Sequence, residues 1–93
     1  MPIDDVWREF ASKHPESLAP LLRWARVVES ATWKDPISVK LSLNATDFVG
    51  ELTVFDIGGN KYRLIAYVHY RMGAVFIKNI LTHKEHEKGA WRQ

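Results

Sequence analysis

The chain has 93 residues, 46% apolar and 26% charged, with a net charge of +2 and no cysteine. That suffices for one compact domain with its own core and excludes a disulfide framework or a thiolate metal site. No apolar run approaches the ~20 residues of a membrane span, and the N-terminus lacks the basic-then-apolar layout of a signal peptide, so a soluble cytoplasmic protein with no membrane partner is expected.

Ile3, Val6, Trp7, Phe10 and Ala11 recur at helical spacing and predict an amphipathic first helix. Asp4 and Asp5 fall in its first turn, where the helix dipole favours them. His14-Pro15 ends it, because proline disfavours helical geometry in its predecessor; His14 is then an exposed helix-end residue and not a ligand. Leu18, Leu21, Leu22, Ala25, Val28 and Ala31 form the stripe of a second helix. Ser17 as its N-cap lets Pro20 sit in the first turn, whose N–H groups lack intrahelical partners. Trp24 and Val27 fall off the stripe centre, with Arg23 and Arg26 beside them, positions open to exposure or to ordinary helix packing. After a break at Trp33-Lys34-Asp35-Pro36, a short helix is predicted over 37–43, then a loop over Asn44-Ala45-Thr46-Asp47, with Gly50 before the first strand.

Leu52–Ile57, Tyr62–Tyr70 and Ala74–Leu81 are rich in Val, Ile, Tyr and Phe and read as three consecutive strands. Gly58-Gly59-Asn60 suits a tight hairpin. With Gly58-Gly59 or Gly59-Asn60 at its centre, Asp56 lies beside Arg63. Met72-Gly73 as the second turn sets Arg71 against Ala74, His69 against Phe76, Tyr67 against Lys78, Ile65 against Ile80 and Arg63 against Thr82. Side chains alternate between faces. One face then holds Tyr62, Leu64, Ala66, Val68 and Tyr70 with Val75, Ile77, Asn79 and Leu81. The other gathers Arg63, Tyr67, His69, Lys78 and Thr82 around Ile65, Phe76 and Ile80, a cationic surface lined with aromatics. Residues 1–51 carry six Lys/Arg against eight Asp/Glu, and residues 52–93 seven against three. A basic sheet half on an acidic helical half suits a polyanion on one side and a different partner elsewhere.

Thr82-His83-Lys84-Glu85 has the capping-box pattern, which predicts a short C-terminal helix stopped by Gly89. His83 and His86 lie three apart, on one side of that turn. A zinc site on them, with His69 or Glu87 as third ligand, lacks a convincing ligand set, and no metal or cofactor is assigned. The elements add up to an α+β domain over residues 1–93. Two N-terminal helices pack on a small, mainly antiparallel twisted sheet of three to four strands.

The stretch GGNKYRLIAYVHY followed by FIKNILTHKEHEKGAW resembles the HigB family of bacterial toxins, within the RelE/ParE-like superfamily. Gly59, Asn60, Arg63, Thr82, His83, Lys84, Glu85, Lys88 and Trp91 fit the family pattern. His86 stands where the family has Tyr, and Glu87 where it has Asp. The resemblance implies a RelE-like fold and a toxin that cleaves messenger RNA on the ribosome as a metal-independent endoribonuclease. It implies as partner a HigA-type helix-turn-helix antitoxin, through which alone the toxin would meet operator DNA. Such cleavage needs a base for the 2′-OH, cations for the charge building on the phosphate, and an acid for the departing 5′-oxygen. Arg63 and Lys78 suit the cations; His86 and His83 suit proton transfer, because imidazole titrates near working pH. Tyr67, His69, Lys61 and Lys84 are assigned to RNA contact. Two other classes stay open: a gyrase-directed toxin of the ParE branch, and a non-catalytic co-repressor held by its antitoxin.

Overall fold

A computed structural model describes residues 1–59 and 61–82. It contains helices α1 (Val6–Lys13), α2 (Leu18–Ser30) and α3 (Pro36–Ser42), with a 3₁₀ turn (Pro15–Ser17) between the first two. Strands β1 (Thr46–Val49), β2 (Leu52–Ile57), β3 (Tyr62–His69) and β4 (Ala74–Thr82) follow. They form one antiparallel sheet in the order β1-β2-β3-β4. The C-terminal helix expected after Thr82 lies outside the described residues.

The helical half departs from its periodicity in three places. Ile3 is not on α1: it pairs with Val75 in a parallel bridge, and Val75 N–H donates to the Pro2 carbonyl at 3.0 Å. Asp4 does not serve the α1 dipole; its Oδ2 accepts the Ile77 N–H at 3.1 Å. The residues before α1 therefore cover the outer edge of β4, where unpaired backbone donors would otherwise face water. Trp24 is buried, not exposed, and Leu18 is 49% exposed. The buried face of α2 is Leu21, Trp24, Ala25 and Val28, rotated from the expected stripe because a wide indole fills more of the space above the sheet than a leucine at the helix start.

Ser17 occupies the N-cap position of α2, but its hydroxyl does not cap; Oγ donates to the His14 carbonyl at 2.6 Å. Helix α3 arises as expected from the break before it. Asp35 caps it, its Oδ1 accepting the Ser38 N–H at 2.8 Å, while Ser38 Oγ accepts the Asp35 N–H at 3.2 Å. Trp33, part of that break, is buried and donates from Nε1 to Ser42 Oγ at 3.1 Å.

Strand β1 replaces the second half of the expected loop. Thr46 and Asp47 pair with Phe55 and Val54, and Gly50, at φ +59°, turns the chain into β2 instead of preceding the first strand. The main core lies between the helices and one sheet face. Phe55 sits at its centre, with Trp24 edge-on at 5.3 Å and Trp33 stacked at 6.0 Å.

Register at the β2–β3 connection is Asp56↔Arg63 and Ile57↔Tyr62, the pairing expected for a turn centred on Gly59-Asn60. Register at β3–β4 differs from expectation. His69 pairs with Ala74, Tyr67 with Phe76 and Ala66 with Ile77. A four-residue connection thus replaces a two-residue turn; Gly73, at φ +74°, donates its N–H to the His69 carbonyl at 2.8 Å. Between Ile65 and Ala66 the ladder shifts, so that Ile65 faces Asn79, Leu64 faces Ile80, Arg63 faces Leu81 and Tyr62 faces Thr82. Lys78 is the extra residue of a β-bulge. From there to its end β4 is turned over: Ile80 packs against the main core, and Asn79 and Leu81 go to the other face. The expected placement of these three, and of Thr82, which lies opposite Tyr62, was reversed.

Candidate functional site

The helices cover one face of the sheet. The other face presents Asp56, Arg63, Tyr67, His69, Phe76 and Lys78 around an apolar floor. Val54 and Ile65 form that floor, buried and packed against Val49, Leu52 and Leu81. Alternation from Phe76 carries Lys78 to this side, and it is exposed. The two expected cations therefore share a face. They are not direct neighbours: Arg63 lies opposite Leu81, three positions along β4 from Lys78, roughly 10 Å at strand spacing.

Arg63 is the most constrained of these side chains. Its Nη1 donates to Asp56 Oδ1 at 3.0 Å, and the two side chains keep 13% and 26% of their exposure. The same Nη1 lies 3.4 Å from the Tyr62 carbonyl. Directly opposed strand positions make this contact possible, and low exposure makes it stronger than a surface pair. A recess of about 120 Å³ beside it is lined by Lys40, Asn44, Thr46, Asp47, Asp56 and Arg63. Lys40 Nζ donates to the Thr46 carbonyl there at 3.0 Å.

At the hairpin end, Tyr67 and Phe76 oppose each other and stay partly in solvent. His69 meets Tyr67 edge-on at 5.9 Å. Its Nδ1 accepts the Met72 N–H at 3.0 Å, which leaves the remaining ring proton on Nε2 when the imidazole is neutral. Asn79 also belongs to this face, half-buried opposite Ile65. Its side chain was not among the expected site residues, because strict alternation points it into the core.

Lys61 is placed elsewhere. It lies in the β2–β3 connection and lines a cavity of about 460 Å³ on the helical side, with Glu16, Arg23, Trp24 and Tyr62. Tyr62 Oη donates to Glu16 Oε1 at 2.7 Å. That bond holds the Glu16 carboxyl below its ordinary pKa and, with burial, pushes the Tyr62 phenol up. His14 is half-buried rather than exposed, stacked on Phe10 at 4.3 Å. His83, Lys84 and His86 lie outside the described residues, as does the zinc reading built on the two histidines.

Among the described residues, no helix is long and apolar enough to cross a membrane. A family model described as "HigB_toxin, RelE-like toxic component of a toxin-antitoxin system" matches residues 17–89. The chain is 28% identical over 83 residues to the "mRNA interferase toxin HigB" of Escherichia coli (strain K12), covering 86% of this chain and 80% of that one. It shows the same identity and coverage with the "mRNA interferase HigB" of Shigella flexneri.

Proposed function

Since the chain belongs to the HigB family of RelE-like toxins, the toxic components of toxin–antitoxin systems, we propose that it is an mRNA-cleaving endoribonuclease whose RNA surface is the face of the sheet opposite the helices. It has an antitoxin as partner by virtue of that family. The reading comes from relatives named as mRNA interferases, and the observation that carries it on this chain is the Asp56–Arg63 pair. A guanidinium pinned at 3.0 Å beside an apolar floor is a preorganised donor for a phosphate.

In the reaction the ribose 2′-oxygen attacks phosphorus and the bond to the 5′-oxygen breaks, leaving a 2′,3′-cyclic phosphate. Arg63 and Lys78 supply positive charge to the phosphorane-like transition state. His86 and His83 handle the two protons, one leaving the 2′-OH and one joining the 5′-oxygen. His86 does the work of the family's tyrosine at that position. Tyr67, His69 and Lys84 hold the strand; Lys61, on the helical side of the β2–β3 connection, lies off this surface. Cleavage needs no metal, takes place on the ribosome, and is inhibited by a HigA-type helix-turn-helix antitoxin that also carries the toxin to operator DNA. Residues 1–93 act as one RelE-like domain in the cytoplasm.

Expression without antitoxin tests this, with transcript 5′ ends mapped. Parent protein should arrest growth and generate new ends; Arg63→Ala and Lys78→Ala should do neither while still folding and binding the antitoxin. His86→Ala should cleave far more slowly, and His14→Ala should behave as the parent. Arrest by the Arg63 and Lys78 variants at parental strength would defeat the site assignment. Arrest without new transcript ends would defeat the nuclease itself.

A further inference from the structure

The bulge in β4 adds a polar side chain to the aromatic end of the sheet face opposite the helices. Tyr67 and Phe76 are directly opposite across β3 and β4, yet they retain 39% and 43% of their exposure. Opposed aromatics on a sheet ordinarily pack on one another and cover part of each ring. Here no ring contact joins the two among the described residues; Tyr67 instead meets His69 edge-on, and the Met72 N–H holds that imidazole in place. Flat apolar surface therefore stands open in the basic half of the chain.

Asn79 lies on this face opposite Ile65, two positions along β3 from Tyr67 and so roughly 7 Å away. Exposed Lys78 precedes it. We infer that Tyr67 and Phe76 form a stacking site for one unpaired base of the RNA strand, and that Asn79 determines specificity by hydrogen bonding to the edge of that base. This rests on the RNA-cleaving reading above and extends it to base choice.

The division of labour follows from the chemistry of the three side chains. Every base has a π face, so aromatic rings provide affinity without discrimination. A carboxamide offers both a donor and an acceptor, and a single strand leaves its Watson–Crick and Hoogsteen edges open to them. The positive charge of the basic half complements the phosphate backbone that carries the base. A protein segment covering the same rings would gain nothing from a nucleobase.

The test uses fluorophore-labelled single-stranded RNA made uncleavable by 2′-O-methylation. It compares four homopolymers with a strand lacking its bases, and reads binding by anisotropy. Tyr67→Leu with Phe76→Leu should weaken homopolymer binding by about 5- to 150-fold, with unchanged melting temperature and unchanged affinity for the abasic strand. Asn79→Ala should hold the affinity averaged over the four bases within about threefold while collapsing the ratio between best and worst base towards one. Leucine variants that bind like the parent overturn the stacking site, as does equal loss on base-bearing and abasic strands. Asn79→Ala with the parental base preference overturns its assignment. A parent that cleaves transcripts but ignores these substitutions refutes this inference alone; a parent that neither binds nor cleaves RNA refutes the reading beneath it too.

Discussion

Removing Asp56 tests whether Arg63 works by its charge or by its orientation. The pair is enclosed enough, at 13% and 26% exposure, to fall between two regimes. Exposed pairs contribute under about 1 kcal/mol, and stripping a partner from a buried pair costs about 3–5 kcal/mol. Asp56→Ala should therefore cost about 2 kcal/mol, which lowers Tm by roughly 8–16 °C in a domain of this size. Asp56→Asn retains an acceptor oxygen for Nη1 but loses the charge assistance, so about 1 kcal/mol and roughly 4–8 °C are expected. Neither substitution removes the guanidinium, and each raises the net positive charge by one, so RNA should bind at least as well at low salt. Cleavage should respond oppositely. A guanidinium that loses this contact is less firmly oriented, and the single-turnover rate with Asp56→Ala should fall by about tenfold or more, with Asp56→Asn between it and the parent. The assay is cleavage of labelled messenger RNA bound to ribosomes, below the lowest of the three melting temperatures. Parental cleavage by a folded Asp56→Ala protein would mean that the ion pair does not position Arg63 for the reaction.

Phe55→Ala should cost about 3–5 kcal/mol, because Phe55 is 1% exposed between two indoles; a urea midpoint within error of the parent would contradict the core described. Gly73→Ala meets no atom within 4 Å at its Cβ, so only the backbone at φ +74° resists it. A loss of about 1–2 kcal/mol is expected, with Gly73→Asn less harmful, and equal Tm values for glycine and alanine would exclude a left-handed turn there. Tyr62→Phe should alter the pH dependence of stability at both ends. Glu16 is held below its ordinary pKa by the Tyr62 hydroxyl, so that contribution is present above about pH 4.5 and fades as pH falls through the lowered value. The Tyr62 phenol is pushed above its ordinary value, so its contribution is present below about pH 10 and lost as pH rises through the raised value. Parent and variant melting curves should converge at both extremes; a gap that ignores pH would rule out this hydrogen bond.

Much of the sheet was legible because its signals are local. Tyr62–His69 is a run of β-formers broken by turn residues, and the Gly58-to-Lys61 connection leaves a single register that keeps Ile57 and Tyr62 in the core. Asp56 beside Arg63 follows from that register. What was not legible depends on packing between elements. Ile3 fits a helical stripe as well as it fits the edge of β4, and only β4's unpaired backbone decides the matter. Trp24 reads as off-stripe by angle, but the indole reaches back over Phe55. Thr46 and Asp47 look like loop because β1 is four residues long and has too few positions for alternation to be recognised.

The bulge is a different case, because its cause is local and was present in the residues. Between Ile77 and Ile80 the strand carries two polar residues in succession, Lys78 and Asn79. Strict alternation must bury one polar side chain, Asn79, and expose Ile80. A carboxamide enclosed without partners costs about 1–3 kcal/mol, and an isoleucine left in water forgoes a burial of about 1.5–3 kcal/mol. One extra residue sacrifices about one ladder hydrogen bond, worth about 0.5–1.5 kcal/mol net, and corrects both errors at once. The bulge should win on those magnitudes, and Ile80 does pack against the core while Asn79 shares a face with Ile65. Adjacent polar residues inside an otherwise alternating strand therefore mark the place where the ladder slips. In this chain the slip is also what brings Asn79 to the same side as Arg63, Tyr67, Phe76 and Lys78.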